Sequence, residues 1–144
     1  MTLPGAFLAA FFQSELLPLL ELNGLLWLWV WVVPTLVLRF PFLPGGILGL
    51  ALPGVVLVRA ETYTLRILRH ELCHVRQMRR WSPMGVGLAQ LVRYLLFPVV
   101  ILLTQRRWPG LGELYRSNPL ERAAFAAMDR KDPLPRYWGS TPGS

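Results

Sequence analysis

Two histidines occur in this chain, His70 and His74, and a glutamate, Glu71, directly follows the first. The segment Arg69-His70-Glu71-Leu72-Cys73-His74-Val75-Arg76-Gln77 therefore contains the pattern H-E-x-x-H. On a helix, positions four apart share a face, so both imidazoles can reach one ion. Zinc favours nitrogen ligands in a tetrahedral site, and a catalytic site keeps one position for water. Metal binding acidifies that water, and Glu71 stands where a base is needed to take its proton. Two solvated histidines on a helix face are the bland alternative. At ordinary residue frequencies the full pattern arises by chance in well under roughly 1% of chains this long.

A catalytic zinc site needs a third protein ligand, and no third histidine exists. The remaining donors are a downstream carboxylate or Cys73. Glu113 falls in an expected loop, Asp129 late on the last expected helix, and Asp132 beyond it. Glu121 begins that helix, in Asn118-Pro119-Leu120-Glu121-Arg122-Ala123-Ala124. Asn118 with Glu121 three residues on is also close to a capping box, which would occupy the carboxylate at the helix start. The small Ala123 and Ala124 would let this helix approach the histidine helix closely, which favours a ligand. Cys73 fits a small buried apolar residue better than a ligand. Tyr115 and Asn118 are candidate donors to a substrate oxyanion, with packing and capping as their alternatives. Gln77, seven residues after His70 on the same face, is a candidate to orient a ligand from behind.

The elements that must position these residues follow from pattern and punctuation. A helix is expected over 61–81, capped by Thr62 or Thr64, with Glu61 near its positive end and Ser82–Pro83 as its stop. Leu68, Leu72 and Val75 would seat it. The run Val55–Val58 reads as the strongest strand, separated by Pro53–Gly54 from a second short strand in 47–52. Pro41, Pro44, Gly45 and Gly46 mark a turn. Residues 87–105 read as a very apolar helix bent near Pro98, residues 108–112 as a loop, and residues 119–130 as a helix starting at Asn118 and Pro119. Toward the N-terminus, residues 1–23 read as a helix with a kink or break at Pro18, and Gly24 as punctuation. The alternating Trp27, Trp29 and Trp31 suggest a strand over 25–33, with a buried or interfacial helix as the competing reading. Together these make one α+β domain, predominantly helical, over 1–130, with an apolar N-terminal region (1–46). A polar, proline-rich tail over 131–144 is expected to fray.

Composition bounds the setting. A chain of 144 residues suits one domain and can bury a core without disulfides, and a lone cysteine excludes an intrachain bridge. Hydrophobic residues make up 53%, charged residues only 16%, and the formal net charge is +7. Mean hydropathy is +0.41. Apolar and basic together point to a membrane surface, and no recognition motif supports nucleic acid. Three stretches, Leu16–Leu38, Leu43–Val58 and Leu88–Thr104, were weighed as spans. Each is interrupted by polar residues, glycine or proline short of the ~20 apolar residues a clean span needs, and the first is the best of them. No basic residue precedes the first apolar run, so a secretory signal is not expected. A cytoplasmic, membrane-associated protein is.

The order of apolar strand, H-E-x-x-H helix and later glutamate helix resembles the zincin metallopeptidases, in their glutamate-ligand branch, the gluzincins. His70 to Gln77, followed by Tyr115 and Asn118 to Ala124, is similar to short bacterial zincin-like proteins and to the zincin-like core domain of contractile-injection-system proteins. The resemblance covers roughly residues 50–130. It implies a minimal zincin-like domain with a small sheet beside the histidine helix, and Zn2+ held by His70, His74 and Glu121. It further implies Glu71 as general base and a peptide or protein substrate. Well-studied gluzincins place the glutamate helix nearer the histidines and carry an aspartate four residues after the glutamate, where this chain has Phe125. A non-catalytic binding or membrane-associated module with a structural or vestigial metal site is the alternative.

Overall fold

A computed structural model describes residues 3–130 and 133–142. Its first element is one long apolar helix in two parts, α1 (Leu3–Phe11) and α2 (Leu17–Val32), joined by a π-helical turn over Phe12–Leu16. The expected break at Pro18 is absent. A proline inside a helix removes one N–H and clashes with the carbonyl four residues back. The wider turn just ahead of Pro18 absorbs that conflict, and the helix continues through Gly24. The same solution recurs later. Helix α4 (Pro83–Leu91) passes through a π-helical turn over Val92–Leu96 into α5 (Phe97–Gln105), whose second residue is Pro98. α4 also begins at Pro83, four residues before the expected start at 87.

The strand expected over 25–33 is helical, which corrects the first reading of the tryptophan alternation. A run that is apolar at every position carries no period, and tertiary contacts decide it. Trp27 and Trp31, one helical turn apart, donate their Nε1–H groups to the Arg79 carbonyl at 2.6 and 3.0 Å. Trp29 lies against Gly54, where a side chain would collide with the indole. The extended segment starts only after Pro34, as β1 (Thr35–Phe40).

β2 (Gly49–Leu52) and β3 (Val55–Arg59) form the expected hairpin over Pro53–Gly54, with Gly54 at φ +77°. That hairpin occupies most of the stretch 43–58 once weighed as a span. β3 pairs in parallel with β1, from Leu36 opposite Val55 to Phe40 opposite Arg59. The sheet order is β2-β3-β1-β4, where β4 is Tyr137–Trp138, parallel to β1. The tail expected to fray thus supplies a strand. Tyr137 packs on the core, Tyr63 donates its hydroxyl to the Ser140 carbonyl at 2.8 Å, and Gly139 sits too close to Val37 for any side chain.

α3 (Leu65–Trp81) lies against this sheet. It starts later than expected because Ala60–Thr62 forms a separate short turn and Glu61 pairs with Arg59 instead of the helix end. Thr64 accepts from the Ile67 N–H, a cap worth about 1 kcal/mol. Leu68, Leu72 and Val75 are buried with Val30, Val37, Val56, Val58 and Val86. Each such side chain contributes about 1.5–3 kcal/mol on leaving water. Ser82, at φ +66°, ends α3 and caps α4 by accepting from Gly85 N–H. The loop expected over 108–112 holds over 108–110 and then gives way to α6 (Leu111–Ser117), where Glu113 in the first turn is clamped by both terminal nitrogens of Arg107 at 2.7 and 2.8 Å. α7 (Pro119–Met128) begins as expected and ends two residues early. The fold is predominantly helical α+β with a small four-stranded mixed sheet. Two continuous helices, Gly5–Val32 and Pro83–Gln105, are long and apolar enough to cross a membrane, and both are largely exposed.

Candidate metal centre

α3 and α7 pack face to face through small side chains. Ala124 and Ala127 of α7 meet Cys73 of α3, and all three are buried. That close approach brings Glu121 over the histidines. His70 Nε2 and His74 Nε2 are 3.3 Å apart, and Glu121 Oε2 lies 3.2 Å from the first and 3.4 Å from the second. All three residues are buried. Four donors placed tetrahedrally about 2.0–2.1 Å from a zinc ion are about 3.3–3.4 Å from one another. The observed triangle has those edges. Glu121 Oε2 makes no well-directed hydrogen bond despite its burial. A buried carboxylate oxygen left in that state is costly, and a cation removes the cost. His70, His74 and Glu121 thus form a group able to hold a metal ion.

The cap and ligand alternatives at Glu121 resolve in its geometry. Asn118 alone caps α7, accepting from Leu120 N–H, while the Glu121 carboxylate turns toward the imidazoles. The other downstream acids point elsewhere: Glu113 pairs with Arg107 and Asp129 with Arg66. Asp132 lies outside the described residues. Burial pushes the Glu121 carboxyl up, but His70, His74 and Tyr115 outweigh it and hold it well below the usual range. Burial lowers His74, yet Glu121, Gln77 and Glu71 together raise it above its ordinary value.

Gln77 works from behind. Its Oε1 is 2.8 Å from His74 Nδ1, and its amide N–H donates to the Leu120 carbonyl at 2.8 Å. The first contact places the His74 proton on Nδ1 and leaves Nε2 as a donor to metal. The second fixes the residue beside Glu121. His70 Nδ1 has no such partner. Its ring is held by packing, edge-on to Phe125 with centroids 4.9 Å apart. The Phe125 phenyl group therefore supports the imidazole sterically.

Tyr115 stacks edge-on against Phe125 and lines the cleft. Burial, followed by the Glu121 charge and a hydrogen bond to Glu121, pushes its hydroxyl well above the ordinary value, so it stays protonated. Asn118 is absent from the lining of the cleft. Its amide N–H is taken by Gln90 Oε1 at 2.6 Å, which ties α7 to α4.

Glu71 faces the same cleft, 95% of its surface covered. Burial raises its carboxyl, offset in part by His74 and His70 and reinforced by Glu121. A raised carboxylate is a stronger base. Its room comes from Gly49 of β2. A Cβ there would stand 2.5 Å from Glu71 Oε1 and 2.7 Å from Cδ and Cγ. Gly49 escaped the sequence reading, although a glycine inside a strand pattern is the usual mark of close approach. The cleft itself holds about 710 Å³. One wall is β2 with the turn before it, and the other is the first two turns of α4, with α7, His70, His74 and Glu121 at its floor. No family model matches the chain, and no curated protein or solved structure matches it.

Proposed function

We propose that this protein is a zinc-dependent metallopeptidase that works at a membrane. The observation that carries the reading is the triangle of two imidazole nitrogens and one carboxylate oxygen, with Glu71 in the same cleft. Zinc held there would supply a Lewis acid that polarises a carbonyl and acidifies a water. The chain supplies the rest. Glu71, buried against Gly49, accepts the proton of the attacking water and returns it to the leaving amine. Tyr115, kept protonated, offers its hydroxyl toward the floor of the cleft. β2 pairs only with β3 among the described residues. Its other edge offers N–H and C=O groups that can align an extended peptide by strand addition.

The membrane part of the proposal rests on the two long apolar helices. Both are apolar around most of their circumference, which suits hydrocarbon better than a water boundary. The sequence Arg-Arg-Trp stands at each end of the second, as Arg79-Arg80-Trp81 and Arg106-Arg107-Trp108, with Trp81 and Trp108 exposed. Aromatic and basic residues in that position suit headgroup contact at both ends of a helix lying along one membrane surface, which keeps His70 and His74 on the same side as Glu121, as the contacts of Asn118 with Gln90 and of Ser117 with Arg93 require.

The test compares wild type with Glu71→Gln, both loaded with zinc. Zinc-dependent cleavage of a peptide mixture by wild type, lost in Glu71→Gln with zinc content unchanged, is the expected result. Zinc bound equally by both with no cleavage by either would leave a binding module with a structural metal.

A further inference from the structure

The α4 wall of the cleft belongs to one of the two helices that suit a membrane. Pro83, Val86, Gly87 and Gln90 of α4 line the cleft, and the same helix then runs on to Gln105. At 1.5 Å per residue, Gln90 stands only about 10 Å along the helix from Pro83. The cleft therefore opens close to the exposed Trp81 that precedes this apolar helix. The opposite wall is equally apolar. Ile47, Leu48, Leu50 and Leu52 belong to the cleft lining and are each about two-fifths exposed. Among the described residues, the only ionisable side chains in the lining are His70, Glu71, His74, Tyr115 and Glu121, all of the site itself. No arginine, lysine or further acid lines the cleft to recognise a polar substrate. The basic residues of α3, Arg66, Arg69, Arg76, Arg79 and Arg80, are absent from it.

From this arrangement we infer that the substrate is an apolar protein segment at its point of emergence from a lipid bilayer. It would enter along α4 and lie extended against β2. The inference rests on the peptidase reading and adds the substrate class. The reaction is hydrolysis. A bond forms from the water oxygen to the carbonyl carbon, and the C–N bond breaks. Glu71 carries the water's proton to the leaving nitrogen, and no further reactant is needed. An apolar cleft continuous with the embedded helix lowers the cost of drawing such a segment out of lipid, because its side chains pass from hydrocarbon to apolar protein without crossing water.

The experiment uses the full zinc-loaded chain in vesicles of phosphatidylcholine and phosphatidylglycerol. The probe is a single-span peptide with a Leu/Val/Ala-rich membrane segment and a long polar flank, with cut sites read by mass spectrometry. Because both regions belong to one anchored molecule, local concentration does not bias the choice. Cuts in the first apolar residues are expected to exceed cuts in the polar flank by roughly tenfold or more. Gly87→Glu, which places a charge where the structure leaves open space, is expected to abolish that preference while zinc content holds. Cuts confined to the polar flank, or a preference unchanged in Gly87→Glu, would overturn the inference. A second readout separates it from the peptidase reading. In zinc-loaded Glu71→Gln, a photoreactive side chain in the first apolar residues of the probe is expected to cross-link to 47–52 and 83–90. Cross-linking there without cleavage in wild type removes the peptidase reading and keeps the occupant; cross-linking elsewhere removes the occupant.

Discussion

Replacing Gln77 by methionine keeps the length and bulk of the side chain and removes its hydrogen bonds to His74 and Leu120, along with a long one to Cys73 Sγ at 4.0 Å. The His74 Nδ1 proton loses its acceptor at 2.8 Å, and the Leu120 carbonyl loses its donor at 2.8 Å. The first loss frees the imidazole to rotate and to exchange tautomers. The second loosens α7 one residue before Glu121. Removing a partner that orients a metal ligand typically lowers affinity by about 10–100-fold, or about 1.4–2.7 kcal/mol. Here one side chain serves two ligands from different helices, so the upper half of that range is expected. Competition against a chromophoric chelator at neutral pH gives the zinc affinity of Gln77→Met and wild type directly. Thermal unfolding of the metal-free forms gives the part of the effect that belongs to the fold. An affinity within twofold of wild type would refute the reasoning, because it would mean that neither contact holds a ligand in place.

Three further expectations concern the same centre and its supports. Gly49→Ala forces Glu71 to move by roughly 1 Å to restore ordinary contact, and a displacement of that size typically costs about 100-fold in rate. Hydrolysis should fall by that factor with zinc content unchanged, and full activity would show that Glu71 does not act from where it lies. In the metal-free protein, stability should peak in mildly acidic solution. Glu121, held below its ordinary 4.5, contributes stability that is lost as pH falls through that value toward its lower folded one. His74, held above its ordinary 6.5, contributes stability that is lost as pH rises through its higher folded value, and the raised Glu71 acts in the same sense. A melting temperature flat from acid to mildly alkaline pH would contradict those shifts. Thr64→Ala should cost about 1 kcal/mol of stability, read from denaturant unfolding, because it removes the cap of the histidine helix; an unchanged midpoint would mean that the cap contributes nothing.

The legible parts of this molecule were those fixed by local chemistry. The spacing of His70 and His74 puts both on one helix face whatever surrounds them. Thr64, Asn118 and Pro119 mark helix starts because caps answer to unpaired backbone N–H groups. Pro53–Gly54 marks the hairpin because glycine alone takes φ +77° there without strain. What stayed hidden was decided at a distance. Trp27 and Trp31 are helical partly because their indoles find the Arg79 carbonyl, some fifty positions away. Tyr137 and Trp138 form a strand because β1 lies open to receive them. The ligand geometry of Glu121 needed the packing of Ala124 and Ala127 on α3, which the small residues hinted at without fixing. Gln77 was found from its helical position, but its grip on Leu120 was not, since a backbone partner leaves no trace in side-chain types.

The two histidines and Glu121 flank, in sequence, the entire apolar excursion from Pro83 to Gln105. A metal bound to all three is therefore a cross-link. It ties shut a loop on the order of 50 residues in a chain whose single cysteine cannot form an internal bridge. By the same chain-entropy reasoning that applies to disulfides, closing a loop of that length removes about 4 kcal/mol of freedom from the unfolded state. Such an ion would be a reversible staple, and chelation would loosen the apolar helix from the floor of the cleft.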